Sequence, residues 1–396
     1  MPTQMKPRVL AAAAALLLLA ALSPATTATA DTEPAPPAPL RRAADPVPGQ
    51  YIVTVRDGAA PAAVLRDAVP EVEPLFTYTA ALNGFAARLS AEQLAAVRAQ
   101  PDVEAVEEDG MASGDEPAAD PLAAAASWGL DRIDQPYLPL NQEFNVEGTG
   151  AGTTVYVIDS GIDFGHADFQ GRAVRGYDSV GDGRDGADCA GHGTHVAGTV
   201  GGATYGVARE TTLVSVRVLG CDNRGEWSQI IAGFDWVAQH AQQPAVANAS
   251  LGGDLTQSVN EAADRLADRG VLPVISAGNE GGDACDYSPA SARGALTVGA
   301  TDADDQETAF SNFGPCLDLY APGQAIISAK LGGGSTAKNG TSMSAPHVSG
   351  VAALRKAADP DATPEQLTDW LIEQSTKDVL DVTKTSPDRL LSTGGL

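Results

Sequence analysis

Val155-Tyr156-Val157-Ile158-Asp159-Ser160-Gly161-Ile162-Asp163 is the stretch on which the fold turns: an apolar, β-rich run that ends in a carboxylate just before a glycine turn. Strands buried on both faces read as continuous apolar runs of this kind. Similar runs recur at residues 213–218, 245–249, 271–275 and 296–298, with helical patterns among them at 229–240, 258–269, 342–356 and 364–375. That alternation predicts an α/β fold, a parallel sheet with helices on both faces. Catalytic and ligand groups of such sheets gather at the carboxyl ends of the strands, where Asp159 falls.

Two further segments complement this carboxylate. Gly191-His192-Gly193-Thr194-His195-Val196-Ala197-Gly198 brings a histidine into a helix among residues small enough for other segments to pack close. Gly340-Thr341-Ser342-Met343-Ser344-Ala345-Pro346-His347-Val348-Ser349-Gly350 sets Ser342 at a helix start, with Pro346 expected near the first turn, where its missing N–H costs least. Singly, these are a turn aspartate, a structural histidine and a serine N-cap. Together they supply what acyl transfer from a peptide requires: an alcohol nucleophile, an imidazole base, and a carboxylate to orient the imidazole. A helix N-terminus also favours a developing oxyanion at Ser342. A second donor is expected from Val274-Ile275-Ser276-Ala277-Gly278-Asn279-Glu280-Gly281, with Asn279 the candidate. His192 and His195 also raise a zinc hydrolase, but the glutamate of His-Glu-x-x-His is missing.

In the chain order Asp, His, Ser these residues resemble the subtilisin-like serine proteases. Chymotrypsin-like enzymes run His, Asp, Ser, and α/β-hydrolases carry a Gly-x-Ser-x-Gly elbow that is lacking around Ser342. The resemblance covers nearly all of residues 128–391 and implies a subtilisin-like fold. It implies a triad of Asp159, His192 and Ser342, and an oxyanion hole of Asn279 with the Ser342 N–H. Trp128-Gly129-Leu130-Asp131-Arg132-Ile133-Asp134-Gln135 and Tyr287-Ser288-Pro289-Ala290-Ser291 are similar to the proteinase K group, and the cysteine spacings to its aqualysin-like bacterial members. Val196 stands where proteinase K has a free cysteine, so no thiol sensitivity is expected. No substitution at the triad favours a catalytically dead peptide-binding relative.

The same resemblance implies that a polypeptide substrate adds as a strand, flanked by Gly225, Glu226 and Trp227 on one side and Ser250, Leu251, Gly252 and Gly253 on the other. Ser276, Ala277 and Gly278 would line the first specificity pocket. Strand addition reads main chain and so implies broad specificity, the small pocket residues leave room for large apolar or aromatic groups, and Glu226 and Asp254 would modestly favour basic residues nearby. Structural Ca2+ is implied at the carbonyls of Arg293 and Ala295 with the Asp318 carboxylate. Asp178, Asp182, Asp185 and Asp188 crowd a Gly-rich loop that reads either as another calcium site or as an acidic solvent loop.

Cys189, Cys221, Cys285 and Cys316 are an even count that, in an exported chain, reads as two disulfides with three formal pairings. The resemblance supports Cys189 with Cys221 and Cys285 with Cys316.

Residues 1–30 carry Lys6 and Arg8, an apolar run of 14 residues from Val9 to Leu22, and an Ala28-Thr29-Ala30 end, the pattern of a secretory signal too short to span a bilayer. The Pro- and Ala-rich segment 31–48 is expected to be a disordered spacer. Strands at 51–55, 75–78, 85–89 and 102–106, with helices at 61–69 and 90–100, make a small α+β ferredoxin-like domain over 49–110. The resemblance assigns it as the propeptide, a folding chaperone and inhibitor. Residues 111–127 are expected to be a linker holding the maturation cleavage, and 128–396 the catalytic domain. A net charge of −26, from 51 Asp and Glu against 25 Lys and Arg, argues against nucleic acid as a partner. No later apolar run suits a membrane span, so a secreted, monomeric enzyme is expected.

Overall fold

Residues 36–114, 117, 127–382 and 385–396 are described by the computed structural model. The expected signal, the start of the spacer and most of the linker lie outside the described residues. The first strands form one sheet in the order β1-β5-β2-β4-β3. These are β1 (Leu40–Arg41), β2 (Pro46–Val55), β3 (Phe76–Tyr78), β4 (Gly84–Arg88) and β5 (Val103–Ser113), with helices α1 (Pro61–Ala68) and α2 (Ala91–Arg98). Alternation along β2 divides its side chains: Val53 and Val55 join Val64, Phe85 and Val97 in a core of their own, while Ile52 faces the larger domain. Ser90 and Gln93 close the expected capping box on α2.

Two features differ from the sequence reading. Part of the expected spacer is ordered, because Leu40 and Arg41 pair with Val106 and Glu107, and β2 starts at Pro46. The last strand runs on to Ser113 instead of stopping at Val106. Its polar continuation looks like a loop, yet each end finds a partner: Glu107 and Glu108 lie opposite Ile52 and Tyr51, and residues 111–113 add to the next domain.

That domain begins with α3 (Trp128–Ile133), followed by β6 (Thr154–Asp159), β7 (Ala173–Asp178), α4 (His192–Gly201), β8 (Thr212–Arg217), β9 (Arg224–Glu226) and α5 (Trp227–His240). Then come β10 (Ala245–Ala249), β11 (Gly253–Asp254), α6 (Gln257–Asp268), β12 (Leu272–Ser276), β13 (Tyr287–Ser288), β14 (Leu296–Thr301) and β15 (Leu319–Pro322). A β16 (Ile326–Ala329) and β17 (Ser335–Lys338) hairpin leads to α7 (Thr341–Ala358), α8 (Pro364–Gln374), β18 (Thr376–Lys377) and β19 (Arg389–Leu390). The main sheet has the order β18-β19-β15-β14-β12-β10-β6-β8-β7 and is parallel except for the β18 edge. Tyr156 and Ile158 of β6 pack toward α5 and α6, while Val155 and Val157 pack toward α4 and α7, so both faces are covered as the apolar runs require. The chain leaves β6 for β7 and β8 on one side and returns to β10 on the other, which places the reversal of strand order at the end of β6.

The small sheet docks on α5 and α6 by supplying acceptors to their first turns, where helix N–H groups have no internal partner. Glu107 accepts from the N–H groups of Gln257 (3.2 Å) and Ser258 (2.9 Å), and Asp109 from that of Ser228 (3.2 Å). In the other direction, Asp235 on α5 accepts from three successive N–H groups, those of Thr79, Ala80 and Ala81.

Candidate active site

Asp159 ends β6 and is fully buried. Its Oδ1 lies 2.7 Å from Nδ1 of His192, the first residue of α4. With Nδ1–H donated to the carboxylate, the neutral imidazole presents Nε2 as its acceptor. The small residues of this segment are a packing requirement: a Cβ on Gly193 would sit 2.2 Å from the Gly161 carbonyl oxygen.

Ser342 is the second residue of α7, which packs beside α4 against the same face of the sheet. Helix α7 begins at Thr341, so Pro346 lies inside the helix and not in its first turn as the sequence suggested. A proline there removes the N–H that would bond the Ser342 carbonyl four residues earlier. The Ser250 hydroxyl takes over, donating to that carbonyl at 2.9 Å, and Asn248 Nδ2 donates to the Ser250 hydroxyl at 2.9 Å. Ser342 Oγ in turn lies 3.4 Å from the Ser250 carbonyl oxygen. Asn279 follows β12, and its Oδ1 accepts from Thr341 N–H (2.9 Å) and Thr341 Oγ1 (3.0 Å). That oxygen is thereby anchored to the first turn of α7, and Asn279 and Ser342 both line one cleft.

The cleft is a cavity of about 260 Å³ lined by Ser113, Leu251, Gly252, Ser276, Gly278, Asn279 and Ser342. The end of β5 runs into it as a central strand. Met111, Ala112 and Ser113 pair antiparallel with Glu226, Gly225 and Arg224 on one side. On the other, Ser113 and Gly252 exchange N–H···O bonds of 3.0 Å each. Gly114 continues inward, its N–H donated to the Asn223 carbonyl at 3.0 Å, close enough to His192 that a Cβ on it would lie 3.1 Å from Cε1. Two of the expected peptide-flanking residues and one expected in the first specificity pocket also have packing or supporting contacts. Trp227 is buried at the start of α5, with its ring beneath Gly110 and Gly253, Ser250 supports Ser342 from behind, and Ala277 is core. Glu280 and Phe310 also line the pocket and carry no motif of their own in the sequence.

Comparison with known proteins identifies the family. The Subtilase family model matches residues 150–394 and the Peptidase inhibitor I9 model matches residues 50–113. The chain belongs to the subtilase family. An extracellular serine proteinase of Thermus sp. (strain Rt41A) is 42% identical over 405 residues, covering 96% of this chain and 97% of that protein. The alkaline serine protease ver112 of Corniculantispora psalliotae is 40% identical over 348 residues, covering 85% and 88%. The crystal structure of a cold adapted subtilisin-like serine proteinase superposes with a TM-score of 0.67 at 46% identity, covering 68% of this chain and 99% of that one. This subtilase is thus an extracellular serine endopeptidase made with an I9 inhibitor domain. Among the described residues, no helix is long and apolar enough to cross a membrane.

The second histidine of the subtilase is structural. His195 Nε2 faces the carbonyls of Ile326 (3.0 Å) and Thr336 (3.2 Å), and burial lowers its pKa to about 3. His192 and His195 therefore serve different partners, which argues against a shared zinc. The acidic loop is likewise committed elsewhere. Asp178 and Asp182 bind the buried Arg217 guanidinium, Asp185 pairs with Arg175, and Asp188 turns inward beneath α4. Disulfides join Cys189 to Cys221 and Cys285 to Cys316. Arg293, Ala295 and Asp318 line one cavity of about 590 Å³, and burial pushes the Asp318 carboxyl up to about 6. A half-buried carboxylate beside main-chain carbonyls suits a hard cation.

Proposed function

We propose that this subtilase hydrolyses peptide bonds through an acyl-enzyme on Ser342, with His192 as general base and acid and Asp159 as its orienting carboxylate. Ser342 Oγ attacks the scissile carbonyl carbon and its proton passes to His192 Nε2. The imidazolium, held by Asp159 through Nδ1–H, then protonates the leaving amine. Asn279 Nδ2 and the Ser342 N–H receive the oxyanion, and removing one such donor costs ~100- to 1,000-fold in kcat. The observation that carries the reading is the tail of β5, which lies in the cleft as an antiparallel strand beside Gly225 and Gly252, with Gly114 after it close to His192. A substrate would pair the same main-chain groups, which supports broad specificity because backbone is read more than side chains.

The chain is self-processed in this reading, with residues 49–114 as inhibitor and chaperone and the cleavage falling between Gly114 and the catalytic domain at Trp128. The mature enzyme works as a monomer on polypeptides. Calcium binds at the Arg293 and Ala295 carbonyls and Asp318, where it would tie the start of β14 to the start of β15. The test is a pair of purified precursors, wild type and Ser342→Ala, with a serine-directed phosphonate. Only the first should process itself and label covalently; equal processing in both would refute the assignment.

A further inference from the structure

Asp188 was a candidate ligand by sequence, yet it accepts more hydrogen bonds from the active-site scaffold than any surface loop acid needs. Its Oδ1 accepts from the Ser160 hydroxyl (2.9 Å) and the N–H groups of Ala190 and Gly191 (2.9 Å each). Its Oδ2 accepts from the N–H (3.0 Å) and hydroxyl (2.5 Å) of Thr194. The residue is 7% exposed, so these bonds form away from water, where charged acceptors bind most strongly. The Ser160 hydroxyl, while donating to Asp188, accepts the Gly193 N–H at 2.9 Å. Ser160 follows Asp159, and Gly193 follows His192.

We propose that Asp188, acting through Ser160, is the positioning residue that fixes Asp159 and His192 relative to each other. The two triad members come from separate elements, the end of β6 and the start of α4, and one hydrogen bond between them does not lock a ring in all directions. The Asp188 carboxylate caps α4 through Thr194 and, in the same stroke, ties that helix to the residue beside Asp159. Each triad side chain is then one covalent step from a group in this network. A misplacement of about 1 Å in such a pair costs on the order of 100-fold in rate.

The inference rests on the triad reading above and is tested separately from it. Precursors carrying Ser160→Ala, Asp188→Ala, both together, Asp188→Asn and Ser342→Ala are purified. Processed enzyme is titrated with a serine-directed phosphonate, so that kcat refers to competent sites only. Ser160→Ala and Asp188→Ala should each lower kcat ~10- to 100-fold with KM within ~2-fold, and the double variant should fall little below the worse single, since both break one linkage. Asp188→Asn, which keeps an acceptor for Ser160, should recover part of the loss. Wild-type kcat per titrated site in Ser160→Ala, or a double variant that multiplies the singles, would overturn the proposal. If Asp188→Ala yields no processed enzyme, Ser160→Ala decides alone, because it leaves the cap on Thr194 in place. An active Ser342→Ala enzyme would instead overturn the triad reading, whatever the other variants do.

Discussion

The main-chain N–H of Ala80 donates to Oδ1 of Asp235 at 2.6 Å, across the boundary between inhibitor and enzyme. The N–H groups of Thr79 and Ala81 converge on the same oxygen, so one buried carboxylate holds a segment of the inhibitor that does not line the cleft. Asp235→Asn keeps the shape and removes the charge. Inhibition of the mature enzyme by added inhibitor domain should weaken by roughly 30- to 140-fold, on the order of 2–3 kcal/mol, with kcat/KM on peptides unchanged.

Gly225 predicts the opposite pattern. A Cβ there would lie 2.3 Å from the Val218 carbonyl oxygen, so β9 must shift to accept one. Because β9 pairs with the inhibitor tail and is offered to substrate, Gly225→Ala should lower kcat/KM and weaken inhibition together, by at least ~10-fold each. A loss confined to inhibition would show that substrate does not use this edge.

Acid should destabilise the fold through two buried histidines. Burial lowers His347 to about 4 and His195 to about 3. Both sit below the ordinary value near 6.5, so the unfolded chain binds more protons than the native one in that interval. Stability is therefore full above pH 6.5 and falls as pH drops toward 4, by ~1.4 kcal/mol per pH unit per histidine. In the Ser342→Ala background, which prevents autolysis, His347→Gln should reduce the slope of unfolding free energy between pH 4 and 6 by about that amount.

Chelator should lower the Tm of the mature enzyme and added calcium should restore it. Asp318→Asn should start from the lower Tm and respond to neither. A wild-type Tm indifferent to chelator would remove the calcium assignment.

The segments that carry the proposed triad were legible because the composition of each is itself a constraint. β6 is apolar because both faces are covered, and Gly193 is glycine because a side chain would strike the Gly161 carbonyl. The cleft was only half legible. Backbone carries the pairing of Ser113 with Gly252, and backbone leaves no residue-type signature, so the strand seemed to end at Val106. Pro346 misled for a related reason: its cost is offset by a hydroxyl from Ser250, 92 residues away in the chain.

The sequence alone determined which chemistry this protein holds, since hydroxyl, imidazole and carboxylate stand in local patterns that fix strand ends and helix starts. It also determined the layered sheet, whose apolar runs admit no exposed face. Tertiary structure alone decided how the acids are used. Asp178 and Asp182 meet Arg217, Asp188 meets Ser160 and Thr194, and Asp109 meets the first turn of α5. A carboxylate looks the same in sequence whether it faces water, a guanidinium or a helix end, and only the folded chain brings it the partner that distinguishes them.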